Sequence, residues 1–149
     1  MAIPFGKDIP SGFFWFNKPE HRFENGELVM TTTDASDYWQ RTHYGFSKDD
    51  GHALLTSVSE DFTMTVKSTF DYRNQYDQCG LLVRIDALNW IKVSLEREDS
   101  VCTRLGSVVT NLGYSDWATT DVDGDVGQMW FRVNCNENDF IIESSTDGA

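Results

Sequence analysis

The sequence predicts an all-β protein, a two-sheet antiparallel β-sandwich or jelly roll, and three observations carry that expectation. Helical spacing is nearly absent, alternation of period two recurs in short segments, and Gly, Asn, Asp and Ser separate those segments. The chain has 149 residues, 40% hydrophobic and 13% aromatic. That is enough apolar surface to close one core and too little length for two domains of ordinary size, so residues 1–149 read as a single domain.

The elements follow in order. Glu27–Thr32 is the first strand, and Tyr38–Tyr44 the next, with Trp39, Arg41 and His43 on one side of it. Ser47–Gly51 is an acidic loop. From Phe62 to Phe70 the alternation is cleanest: Phe62, Met64, Val66, Ser68 and Phe70 face a core, with Thr63, Thr65, Lys67 and Thr69 opposite. Cys79, Leu81, Val83 and Ile85 form the next inward row, and Asp86-Ala87-Leu88-Asn89 turns the chain into Ile91, Val93 and Leu95, making a hairpin. Strands follow at Ser107–Leu112, Met129–Cys135 and Phe140–Ser144, with an acidic loop at Asp121–Gly127. The last strand runs into Ser145-Thr146-Asp147-Gly148, a turn signal with no further strand after it to pair.

Charge and composition exclude several classes. Asp and Glu number 24 against 12 Lys and Arg, a formal net charge of −12. Nucleic acid and anionic membrane both reward a basic face, so neither is an expected partner. No stretch approaches the roughly 18 apolar residues of a membrane span, and the first residues lack the pattern of a signal peptide. A cytoplasmic protein is the default expectation. Cys79, Cys102 and Cys135 are widely spaced without a CxxC pair, which fits buried free thiols better than a disulfide framework or zinc cage.

The chemistry, if any, lies on the side of the hairpin away from the core. Gln78, Gly80, Leu82, Arg84 and Asp86 alternate with the inward row, and Trp90, Lys92, Ser94 and Glu96 do the same on the partner strand. Together with Trp39, Arg41 and His43 they place indoles beside cationic, amide and carboxylate groups. Flat rings cover the apolar face of a sugar while forked donors and carboxylates fix its hydroxyls, so the mix suits a polyhydroxylated ligand or a small acid. The plainer alternative is a solvated face with cross-strand ion pairs such as Arg84 with Glu96, each contributing about 0.2–1 kcal/mol.

Other motifs carry less. His43 and His52, in THYGFSKDDGH, do not have a metal-ligand spacing, and a calcium loop counted from Asp121 would need Gly and Glu where Val126 and Arg132 stand. No metal or cofactor is expected. Asp86, Glu96, Glu98 and Asp116 offer carboxylate pairs for glycoside cleavage, but among 24 acids some pair reaches that spacing by chance. No nucleophile elbow, phosphate loop or dinucleotide fingerprint appears.

Three runs in one order carry a resemblance. DYWQRTHYGFSKDDGH (Asp37–His52), QYDQCGLLVRIDALNWIKVSLE (Gln75–Glu96) and SVVTNLGYSDWA (Ser107–Ala118) resemble the uncharacterised YesU-like and regulation-of-enolase protein family over almost the whole chain. The resemblance implies a concanavalin A-like jelly roll, the architecture of many lectins and glucanases. It supports a polar ligand face at Trp39, Arg41, His43, Gln78, Arg84, Trp90, Lys92, Glu96 and Trp117, and it carries over no catalytic residue. Jelly rolls of this kind usually continue beyond a segment like Met129–Gly148, so the closing C-terminal strands are expected to be missing or supplied by a partner chain.

The leading functional expectation is recognition of a sugar or sugar acid on the concave sheet face, with the basic residues of that face favouring an acid. A glycan-active hydrolase, lyase or isomerase using His43 or Glu96 for proton transfer is the enzyme alternative. The third is a protein-interaction regulator of a metabolic enzyme such as enolase, with a protein partner or homodimer; exposure of Phe13, Phe14, Trp15 and Phe16 as one patch would favour it.

Overall fold

The computed structural model describes residues 6–149, and all regular structure among them is β. The strands are β1 (Phe13–Phe16), β2 (Glu20–Glu24), β3 (Glu27–Thr31), β4 (Tyr38–Gln40), β5 (Ser47–Asp49), β6 (Ala53–Thr56), β7 (Phe62–Thr69), β8 (Gln78–Asp86), β9 (Asn89–Arg97), β10 (Cys102–Asn111), β11 (Tyr114–Asp123), β12 (Gln128–Asn136) and β13 (Asp139–Ser145). Among the described residues no helix is long and apolar enough to cross a membrane. Residues up to Trp39 with Phe46–Ser59 form one compact unit, and Gln40–Gly45 with Glu60–Ala149 a second.

In the first unit β1 pairs with β6, and β2 with β3, both antiparallel. The β2–β3 hairpin turns on Asn25-Gly26, both at positive φ, as a two-residue turn demands. Phe14 is 50% exposed, whereas Phe13, Trp15 and Phe16 are half-buried, so the aromatic run does not form one exposed patch. Phe16 stacks on Tyr38, and the Trp15 ring contacts His21. The His52 ring is engaged at both nitrogens: Nε2 accepts from Thr33 N at 3.0 Å, and Nδ1 lies 2.5 Å from Asn17 O.

The second unit is a sandwich. One sheet has the order β11-β10-β9-β8 and the other β13-β12-β7, with antiparallel neighbours throughout. Leu81, Val93 and Leu95 from the first sheet meet Met129, Phe131 and Val133 from the second in one buried cluster. The alternation from Phe62 is realised, since Phe62, Met64, Val66 and Phe70 all pack against that cluster. Strand β13 is an edge, paired among the described residues with β12 alone.

The expected Tyr38–Tyr44 strand stops at Gln40. Arg41, His43 and Gly45 all have φ between 61° and 70°, a left-handed backbone that no strand accommodates. Instead Gln40–Gly45 is a compact turn, with Thr42 N and Tyr44 N donating to Gln40 O and Thr42 O. The two acidic loops also shrink. Ser47–Asp49 forms β5, and Asp121–Asp123 completes β11, whose polar, exposed residues lack the apolar alternation that marks a strand.

The β8–β9 turn falls where expected, with a register shift between Arg84 and Asp86. Asp86 Oδ1 accepts from Leu88 N at 2.7 Å and from Asn89 Nδ2 at 2.9 Å. The backbone hydrogen bond from Leu88, then the Asn89 side chain, hold the Asp86 carboxyl below its ordinary 3.8. The bonded form is the charged one, so its contribution is complete above pH 3.8 and disappears as pH falls through the lower folded value. Asp86→Ala should therefore flatten the acid limb of stability as pH falls below about 3.8, read from urea midpoints. Parallel wild-type and variant curves would show that the carboxylate does not hold the turn.

Candidate functional site

The register of the four-stranded sheet turns its sequence into a grid. On the side away from the sandwich core, successive cross-strand rows are Arg84–Trp90–Thr110–Ser115, then Leu82–Lys92–Val108–Trp117, then Gly80–Ser94–Gly106–Thr119, then Gln78–Glu96–Arg104–Asp121. Six expected ligand residues, Gln78, Arg84, Trp90, Lys92, Glu96 and Trp117, thus share one face. Arg104, absent from the expected set, joins them. Val108 and Leu105 make both phases of β10 look apolar, so only the pairing of Arg104 with Glu96 shows which way it faces.

Accessibility divides this face. Trp90, Val108, Thr110 and Ser115 are 3–5% exposed and Ser94 8%, so these members of the first three rows are interior packing, while Leu82, Arg84 and Lys92 are half-buried. Trp39, in the other unit, is 6% exposed. Neither of those two indoles offers an open platform. Trp117 is half-buried, as are Gln78, Glu96 and Arg104, while Thr119 and Asp121 are exposed. The reachable part of the face is the end bearing Trp117, Arg104, Glu96 and Asp121.

Arg41 and His43 lie elsewhere. Gln40 N donates to Ser115 Oγ at 2.8 Å and Thr42 Oγ1 donates to Ser115 O, docking the Gln40–Gly45 turn on the first row. The Arg41 guanidinium lies 5.5 Å from the Tyr114 ring centroid, and His43 packs edge-on against Tyr44. The Tyr114 end of β11 is seven residues from Asp121, roughly 23 Å at the rise of a strand. His43 and Glu96 therefore belong to opposite ends of the face and do not converge on one reacting bond.

Side chains fill the small-residue row. A Cβ on Gly106 would lie 2.7 Å from Trp117 Nε1, so the indole rests over that glycine. The Arg104 guanidinium stands 5.8 Å from the Trp117 ring centroid, with Arg104 Nε 3.1 Å from Glu98 Oε2. Glu98 Oε1 in turn accepts from Gln75 Nε2 at 3.2 Å. Lys92 Nζ donates to Gln78 Oε1 at 2.9 Å, and Ser94 Oγ donates to the same oxygen at 3.4 Å. A half-exposed pair such as Arg104–Glu98 contributes at most about 1 kcal/mol to stability, so its order is better read as shaping a surface than as holding the fold.

Beyond Asp121 the face runs into an open depression lined by Ser100, Val101, Cys102, Asp123 and Asp125. Burial, followed by the charge of Asp121, pushes the Cys102 thiol up, and burial does the same to Cys79, whose Sγ lies 3.7 Å from Ser68 Oγ. Neither is an activated thiolate. Among the described residues no three His, Cys, Asp or Glu side chains converge as metal ligands.

Fold and face together define a two-sheet β-sandwich protein with a mixed-charge, indole-bearing sheet surface. The chain belongs to the family described as a protein of unknown function (DUF1349), which matches residues 15–149. It is 38% identical over 134 residues to "Regulation of enolase protein 1" of Saccharomyces cerevisiae, a match spanning 89% of this chain and 67% of that protein. It is also similar to a crystal structure of a functionally unknown protein from Saccharomyces cerevisiae, with 37% identity and a TM-score of 0.82, covering 92% of this chain and 74% of the other.

Proposed function

We propose that this protein recognises a polyhydroxylated ligand, a sugar or sugar derivative, at the reachable end of the four-stranded sheet. The observation that carries the reading is the juxtaposition of a half-buried indole, Trp117, with the Arg104 guanidinium 5.8 Å from its ring centroid and with the Glu96 and Asp121 carboxylates that flank Arg104 in its own row. An indole contributes apolar contact at about 25 cal/mol per Å² of buried area, while donors and acceptors select among hydroxyl arrangements. Nothing in this arrangement requires bond cleavage, and the reading is one of binding.

A thermal-shift screen against mono- and oligosaccharides tests it, because a ligand that binds only the folded state raises the melting temperature by mass action. At a ligand concentration of about one hundred Kd the stabilisation is about 2.7 kcal/mol, and Trp117→Ala should abolish it while leaving the protein folded. A shift that survives Trp117→Ala would move the site elsewhere. A flat screen on folded protein would favour a second reading, regulation of a metabolic enzyme such as enolase through protein contact. That reading is supported by the name of the yeast relative, "Regulation of enolase protein 1", at 38% identity.

A further inference from the structure

We infer that Arg104 is a ligand-contacting residue and that the ligand it takes is a neutral polyol with neighbouring hydroxyls, not a sugar acid; the inference rests on the reading above. The Arg104 side chain is 34% exposed and lies between the Trp117 ring, 5.8 Å away, and the Glu98 carboxylate, whose Oε2 is 3.1 Å from a buried Nε that makes no hydrogen bond among the described residues. Its Nη1 and Nη2 make no hydrogen bond or ion pair to another described residue. A planar fork held this way keeps its remaining donors in a fixed geometry and loses little freedom on binding.

The surroundings decide the ligand's charge. Glu96 and Asp121 flank Arg104 across β9 and β11, and Glu98 pairs with it, so three carboxylates surround one guanidinium. Lys92, which stands in the row of Trp117 and reaches across to Gln78, raises the cations to two. Asp123 and Asp125 line the adjoining depression and add negative charge at its mouth. A carboxylate entering this corner meets a net negative field that one arginine does not offset. A hydroxyl pair carries no such penalty, because one hydroxyl accepts from the guanidinium while both donate to carboxylates, and Trp117 covers the carbon face. Basic residues counted along the sequence favour an acid; the register reverses that preference by showing which acids stand among them.

Isothermal titration of the full chain with matched pairs, glucose against glucuronate and galactose against galacturonate, and with their short oligomers, tests the inference. The neutral member should bind about tenfold tighter than its uronate. Arg104→Lys keeps the charge but loses the fork, and should weaken the neutral sugar about tenfold with the unfolding midpoint retained. Glu96→Gln should narrow the neutral-to-uronate gap. Tighter uronate binding, or neutral binding unchanged in Arg104→Lys, would overturn the inference and leave sugar recognition standing. Absence of binding by either member of every pair would overturn both.

Discussion

Phe131→Ala should lower the stability of the protein by about 3–5 kcal/mol, the largest loss expected from any side-chain truncation here. Phe131 is 0% exposed and lies on β12, the middle strand of the three-stranded sheet. It belongs to the cluster that joins the two sheets, with Leu95, also 0% exposed, contributed from the opposite one. Removing the ring takes away its transfer free energy and leaves a void that two hydrogen-bonded ladders prevent from collapsing. Against a typical total of about 5–15 kcal/mol, that is about a fifth or more of the stability. Urea denaturation should show a lower midpoint at similar slope, and Phe131→Leu should recover most of the loss. A loss below about 1 kcal/mol for the alanine variant would mean that the sandwich is not closed around this residue.

The strand bearing Phe131 was legible because it alternates, and so were β7, β8 and β9, whose inward residues, among them Leu81, Val83, Val93 and Leu95, pack as their period predicts, whereas Ile85, expected in the same row, is 82% exposed where the register shifts between Arg84 and Asp86. Where the pattern fails, a physical reason is visible. Strand β11 has exposed threonines and aspartates over most of its length, so its pairing with β10 creates no apolar alternation. The turn at Arg41–Gly45 requires left-handed backbone at an arginine and a histidine, residue types that do not announce it, and only Gly45 is a hint. The site shows the same division. Alternation correctly places Gln78, Arg84, Trp90, Lys92 and Glu96 on one face. It cannot rank Trp39, Trp90 and Trp117, because burial of 6%, 3% and an intermediate degree follows from tertiary packing, not from a residue's own strand. Arg104 needs the β9–β10 register as well, since its own strand is apolar in both phases.

That register also gives two glycines of one row opposite fates. Gly80→Ala should cost roughly 3 kcal/mol, with loss of β8–β9 pairing, whereas Gly106→Ala should cost about 1 kcal/mol and act on the ligand face. A Cβ on Gly80 would lie 1.9 Å from Val93 O and 2.7 Å from Ser94 Cα. Both contacts are with the backbone of the neighbouring strand, so no rotamer change relieves them and the ladder itself must open. On Gly106 the tightest contact is Trp117 Nε1 at 2.7 Å, a side-chain atom that turns away, followed by Ala118 O at 3.0 Å. The displaced indole would leave Arg104 without its stacking partner. Hydrogen exchange should therefore show faster opening of β8 and β9 amides in Gly80→Ala, while Gly106→Ala keeps them protected and loses sugar-dependent thermal shift. Equal destabilisation by the two substitutions would contradict this account, because it would mean that the indole over Gly106 is held as rigidly as backbone and that Trp117 is core, not binding surface.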